Sequence, residues 1–185
     1  MNASTTLTNI RIIIGPIIAI IIYINFVFAP IIASALFAIG SITDFLDGKI
    51  ARKRSQVTKF GTFLDPVADK LMVSIVLISL VYILDSFYLA ILATIIISRE
   101  IIIISLREWM AKIGKDNYVE VTLIAKLKVV FQMVGIFLLI ISREMTTFYF
   151  YEISMIFISV GVLLGLYSAI NYFSACIPYL KNSNK

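Results

Sequence analysis

Histidine is absent from the sequence, and cysteine occurs once, at Cys176. The first absence removes imidazole from any metal site or acid–base pair, so a metal here must be held by oxygen. The second rules out an intramolecular disulfide. Charge is scarce as well, at 15% of 185 residues, where soluble domains carry about 25%. Apolar residues make up 61% of the chain and mean hydropathy is +1.01. One soluble core cannot hide that excess, so most of it is expected to face lipid. The net charge of +5 could by itself suit nucleic acid. In so apolar a chain it reports cationic cytoplasmic loops and anionic lipid head groups, and no nucleic-acid partner is expected.

Internal repeats, low-complexity tracts and a separate soluble region are also missing, so residues 1–185 read as a single membrane domain. The uncharged run from Ile12 to Thr43 exceeds the 7–15 residues of a signal-peptide core. Despite the small residues Ala33-Ser34-Ala35, a retained first helix is expected. The run is also too long for one span of about 20 residues. A break at Ala29-Pro30 gives helices near 12–28 and from Pro30 to about Arg52. Further helices are expected at about Asp65–Leu84, Phe87–Arg107 and Lys126–Ser142, and within 153–178, with a tight turn at Asp85-Ser86. The fold class is therefore all-α, a polytopic membrane protein with six transmembrane helices. Residues 1–10, with Thr5, Thr6 and Thr8, read as a short interfacial segment.

Positive charge sets the orientation. A cytoplasmic N-terminus puts Lys49 to Lys59, Arg107 to Lys128, Lys181 and Lys185 inside; of 16 lysines and arginines only Arg143 then falls outside. This places both termini and the polar segments at the cytoplasmic side of an inner membrane. The apolar last helix is a candidate surface for a homodimer.

The most informative stretch is TDFLDGKIARKRSQVTKFGTFLDPVADK, Thr43 to Lys70. Asp44 and Asp47 are three apart and Asp65 and Asp69 four apart, so each pair shares a helix face. Asp44 lies 14 residues from Pro30 and Asp69 15 from Leu84, about 21 and about 22 Å along antiparallel helices. Four carboxylates are thus expected at one level in the inner third of the bilayer. An isolated Asp at the helix centre costs about 2.5–3.5 kcal/mol, and mutual repulsion adds to that. Divalent cations relieve both costs, and oxygen-only ligands favour Mg²⁺, Mn²⁺ or Ca²⁺. Two facing pairs suit two ions about 3.5–4 Å apart, the spacing used in phosphoryl displacement. Pairing of the acids with Lys49, Arg52 and Lys70 would explain one pair, but not two in register. Gly48, Ala51 and Gly61 leave room for a flat group or a phosphate to approach the backbone, although small residues also serve helix packing. Arg52 suits a phosphate contact; Lys53, Arg54 and Lys59 read as a solvated basic loop.

Asp44-x2-Asp47-Gly48-x2-Ala51-Arg52-x8-Gly61-x3-Asp65-x3-Asp69 resembles, position for position, the signature of the CDP-alcohol phosphotransferase family. The resemblance implies a six-helix membrane enzyme that displaces CMP from a CDP-linked lipid or alcohol by an acceptor hydroxyl. It implies Asp44, Asp47, Asp65 and Asp69 as ligands of two metal ions, Mg²⁺ or Mn²⁺, with Asp69 also the general base. It also implies Asp47, Gly48, Ala51, Arg52 and Gly61 along the cytidine nucleotide. Since CMP leaves with its phosphate held by metal, no separate leaving-group acid is expected.

Arg99 lies 12 residues from Phe87 and Arg107 eight further on, about 80° apart around one helix. Lys126 lies 16 residues from Ser142 on the next. These cations reach the cytoplasmic half, where an acceptor bearing its own phosphate would supply an anion; local neutralisation by Glu100 and Glu108 is the plainer alternative. The segments Leu7–Pro16, Ser98–Gly114 and Ala125–Met133 are similar to the branch of the family that joins CDP-diacylglycerol to sn-glycerol 3-phosphate. That similarity implies Arg99, Arg107 and Lys126 as holders of the acceptor phosphate; Lys128 is a weaker candidate, with a simple loop charge as the alternative. Ala125 and Val129 stand where Gly and Thr are expected, which bears on acceptor fit. An inositol phosphate or a second phosphatidylglycerol is the alternative acceptor. A divalent-cation transporter would also gather acids, but it should show inverted repeats or interrupted helices, and it leaves Gly48 and Ala51 unexplained.

Overall fold

The structure, a computed structural model, describes residues 3–24, 26–54, 59–114, 123–144 and 149–182, with side chains at all of these except 3–10, 44–66, 69 and 180–182. It is all-helical. Among the described residues six helices follow one another: α1 (Ala3–Ile24), α2 (Ala29–Arg54), α3 (Lys59–Leu84), α4 (Phe87–Lys112), α5 (Leu123–Ile141) and α6 (Phe150–Asn182). Residues 3–10 form the first turns of α1 and run directly into the apolar part of that helix. The first break falls earlier than the sequence suggests. Pro30 sits in the first turn of α2, where its missing N–H costs nothing, and the chain reverses just before it with Ala29 N donating to the Phe26 carbonyl (2.8 Å).

The turn between α3 and α4 is as tight as expected. Asp85 takes a positive φ of 44°, and the Ser86 hydroxyl accepts from Leu89 N at 3.3 Å, capping α4. Lys53, Arg54 and Lys59 belong to the ends of α2 and α3, while 55–58 lie outside the described residues.

Direction follows from paired contacts. Tyr23 meets Tyr82 with ring centroids 5.6 Å apart, and Gly15 lies against Met72, so α1 and α3 run parallel. Gly135 packs on Ile158 and Gly161 on Gln132, so α5 and α6 run antiparallel. A core of Ile18, Ile22, Phe37, Met72, Val76, Leu77, Leu89, Ile96, Ile136 and Ile158 joins all six helices. At one end Arg143 Nη1 donates to the Ile22 carbonyl (3.2 Å) and Tyr88 shares a hydrogen bond with Ser159 (2.9 Å). The opposite end carries the polar sequence.

The outer surface is apolar. Ile78, Ile101, Ile156, Leu163 and Ile170 each expose more than half of their area, which water would penalise by about 25 cal/mol per Å². The segments Phe87–Lys112, Leu123–Ile141 and Phe150–Tyr179 are long and apolar enough to cross a membrane. Among the residues described with side chains, α1, α2 and α3 are apolar over Arg11–Ile24, Ala29–Thr43 and Lys70–Leu84.

Candidate active site

One contact fixes how α2 and α3 approach each other. A Cβ on Gly40 would lie 2.8 Å from Met72 Sδ, and one on Gly15 3.1 Å from Met72 Cα. Met72, with no exposed surface, is therefore clamped between α1 and α2. Since α1 is antiparallel to α2 across their short link and parallel to α3, α2 and α3 are antiparallel. Asp44 follows Gly40 by one turn, and Asp69 precedes Met72 by one turn. Moving from the contact toward the polar end, α2 passes 44, 47, 48, 51 and 52 while α3 passes 69, 65 and 61. The side chains of Asp44, Asp47, Gly48, Ala51, Arg52, Gly61, Asp65 and Asp69 lie outside the described residues.

Beside this level a buried ion cluster joins three helices. Glu100 on α4 is 9% exposed, Arg99 8% and Lys128 on α5 3%. Glu100 Oε1 accepts from Arg99 Nη1 at 2.9 Å and from Lys128 Nζ, while Oε2 pairs with Lys70 Nζ on α3 at 3.2 Å. Arg99 Nε donates to the Gly165 carbonyl on α6 at 3.2 Å. Neutralisation of Arg99 by Glu100 is thus real, but the same carboxylate also serves two lysines. Lys70, Glu100 and Gln132 line a small cleft with Val73, Ile96, Val129 and Met133.

Lys128 is not a loop charge. The buried face of α5 runs Ala125, Lys128, Gln132, Gly135, Ile136, Leu139, Ile140, a three-to-four-residue spacing that carries Lys128 inward. Lys126 stands about 200° around the helix from Lys128 and is exposed. Helical phase, not depth alone, separates the two lysines, and phase was readable from the positions of Ala125, Gln132 and Gly135.

Arg107 faces α6 as Arg99 does. Its Nη2 donates to the Tyr172 hydroxyl at 2.7 Å, and the guanidinium sits 5.2 Å from the centre of the Tyr172 ring. Its Nε is buried with no hydrogen-bond partner among the described residues. Glu108 does not neutralise it; Glu108 pairs with Lys112 at 3.0 Å on an exposed face. Tyr172, 5% exposed and packed with Ile103, Met110 and Cys176, had no distinguishing signal in a helix that reads as generically apolar. Within the described residues the site thus offers two partly coordinated guanidiniums and a carboxylate-linked lysine pair. The lysine pair reaches the aspartate segments through Lys70, which directly follows Asp69 in α3.

The model of the CDP-alcohol phosphatidyltransferase family matches residues 1–167. A protein of Wigglesworthia glossinidia brevipalpis, named CDP-diacylglycerol–glycerol-3-phosphate 3-phosphatidyltransferase, is 43% identical over 173 residues, covering 94% of this chain and 93% of its own length. A protein of the same name from Salmonella choleraesuis is 40% identical over 174 residues, 94% of each chain. Another from Pectobacterium atrosepticum is 42% identical over 143 residues, 77% of this chain and 79% of its own. Matched along nearly its whole length by such relatives and by the family model, the chain belongs to the CDP-alcohol phosphatidyltransferase family.

Proposed function

We propose that the protein transfers the phosphatidyl group of CDP-diacylglycerol to the hydroxyl of sn-glycerol 3-phosphate, giving phosphatidylglycerophosphate and CMP. The observation that carries this reading is the Asp44–Asp69 signature set one turn beyond the Gly40–Met72 contact, in a chain whose relatives bear that enzyme name. The Nε of half-buried Arg107, buried and without a partner among the described residues, supports an anionic acceptor, because an unsatisfied buried donor is costly unless a ligand meets it.

The donor set fits a hard divalent metal: two pairs of aspartates at helical spacing and no histidine anywhere in the chain. Asp44, Asp47, Asp65 and Asp69 would hold two ions, Mg²⁺ or Mn²⁺. When bound, such ions neutralise the pyrophosphate and stabilise charge on the attacking and leaving oxygens. Asp69 takes the proton from the acceptor hydroxyl as its oxygen attacks the phosphatidyl phosphorus. The bond to CMP breaks in line. Gly48, Ala51 and Gly61 leave the backbone open to the cytidine nucleotide, with Asp47 and Arg52 beside it. Arg99 and Arg107 hold the acceptor phosphate from α4, and Lys126 contributes at the rim.

All six helices cross the bacterial inner membrane in this reading, with both termini and the site cytoplasmic. The positive-inside distribution supports that orientation. The test is purified protein given CDP-diacylglycerol, Mg²⁺ and a panel of acceptors. CMP release that depends on glycerol 3-phosphate is the expected result; release only with inositol phosphate or an uncharged alcohol would overturn the acceptor.

A further inference from the structure

Three helices send a cation to a single carboxylate at Glu100. Lys128 and Arg99 share Oε1, and Lys70 takes Oε2. Ion clusters of this kind seldom stabilise a fold more than apolar side chains of equal volume would, because desolvation offsets most of the attraction. Stability alone is therefore a weak reason for placing one here. The geometry gives a better one. Arg99 is pinned at two of its three guanidinium nitrogens, Nε by the Gly165 carbonyl and Nη1 by Glu100. A planar group held at two nitrogens has a fixed plane, so its remaining N–H groups point in one direction. Lys70, on the other oxygen, directly follows Asp69 in α3. The Glu100 carboxylate thus links the arginine of the acceptor pocket to the helix turn that bears the candidate base.

We propose that Glu100 is a positioning residue for the acceptor: through its contacts with Arg99, Lys128 and Lys70 it orients the phosphate-binding guanidinium and sets it in register with the Asp69 turn. The role rests on the acceptor reading above. Glu100 itself touches neither substrate; a carboxylate facing the acceptor phosphate would repel it, and both of its oxygens are already taken by cations.

The test measures CMP release by the purified full-length protein with each substrate varied in turn. Glu100→Gln should raise the KM for glycerol 3-phosphate by about tenfold or more, the usual cost of losing a residue that orients a ligand-binding group. The KM for CDP-diacylglycerol should stay within about twofold. Glu100→Asp, which keeps the charge with one methylene less, should recover part of the loss. Should Glu100→Gln fail to accumulate in the membrane, Glu100→Asp is read for the same split between acceptor and donor. An unchanged acceptor KM overturns the proposal, as does an equal rise in both KM values, since that marks a merely structural role. A wild-type protein with no glycerol-3-phosphate-dependent release would instead overturn the acceptor reading itself, and the role of Glu100 with it.

Discussion

Met72 of α3 seats its sulfur against Gly40 of α2, so closely that any side chain at position 40 would begin 2.8 Å from it. This contact sets the distance between the two helices immediately before their aspartates. Gly40→Leu forces them apart at a buried residue, and overpacking of that kind costs about 1–3 kcal/mol. The expected outcome is a lowered melting point in detergent together with a fall in CMP release at saturating substrates. Gly40→Ala should be milder, since the methionine side chain can turn aside. A fully active Gly40→Leu protein would show that the aspartates do not depend on this spacing.

Asp69→Asn removes the proposed base while keeping shape. Turnover should fall by about 100- to 10,000-fold, the usual contribution of general-base catalysis, with the melting point little changed. Chelation of divalent ions should abolish the wild-type reaction, and Mg²⁺ or Mn²⁺ should restore it. Near-normal turnover in the variant, or in metal-stripped protein, contradicts the assignment.

Arg107 offers the clearest separation of acceptor from donor. Loss of a charge-assisted hydrogen bond is worth about 1.5–3 kcal/mol, so Arg107→Ala should raise the acceptor KM about 10- to 100-fold and leave the donor KM unchanged. Tyr172→Phe keeps the ring beneath the guanidinium and loses only the hydroxyl; its acceptor KM should rise by a few-fold. Steady-state kinetics with each substrate varied in turn decide both.

The two lysines of α5 should part company in stability. Lys128→Ala strips a buried carboxylate of one partner, a change that costs about 3–5 kcal/mol, whereas Lys126→Ala at an exposed position should stay within about 0.5 kcal/mol. Thermal melts of the two variants make the comparison. An unaltered acceptor KM in Lys126→Ala would also remove Lys126 from the phosphate site.

What could be read in advance was what repeats or what is costly. Apolar blocks bounded by charge located all six helices, and the Asp85-Ser86 turn was legible because nothing else separates two apolar runs there. The aspartates stood out as carboxylates in an apolar setting, and their spacing named the family. Angle counted around α4 did bring Arg99 and Arg107 to one side. Depth along α5 does not separate Lys126 from Lys128; the phase set by Ala125, Gln132 and Gly135 does, and it was legible. The start of α2 beside Pro30 was legible, since proline suits the first turn of a helix; the end of α1 was set about four residues late, because only Asn25 interrupts an apolar run that continues to Phe28. Tyr172 was invisible because its role exists only against Arg107.

Gly165 does more than supply a carbonyl. With no side chain on α6 at that point, the hydrocarbon stem of Lys128 lies flush along the helix, 3.2 Å from where a methyl group would be. An ammonium can therefore travel through an apolar interface and emerge at Glu100. Filling that notch by a single carbon would register as an electrical fault rather than a steric one, since the crowded lysine would be pushed off its line to a largely buried carboxylate.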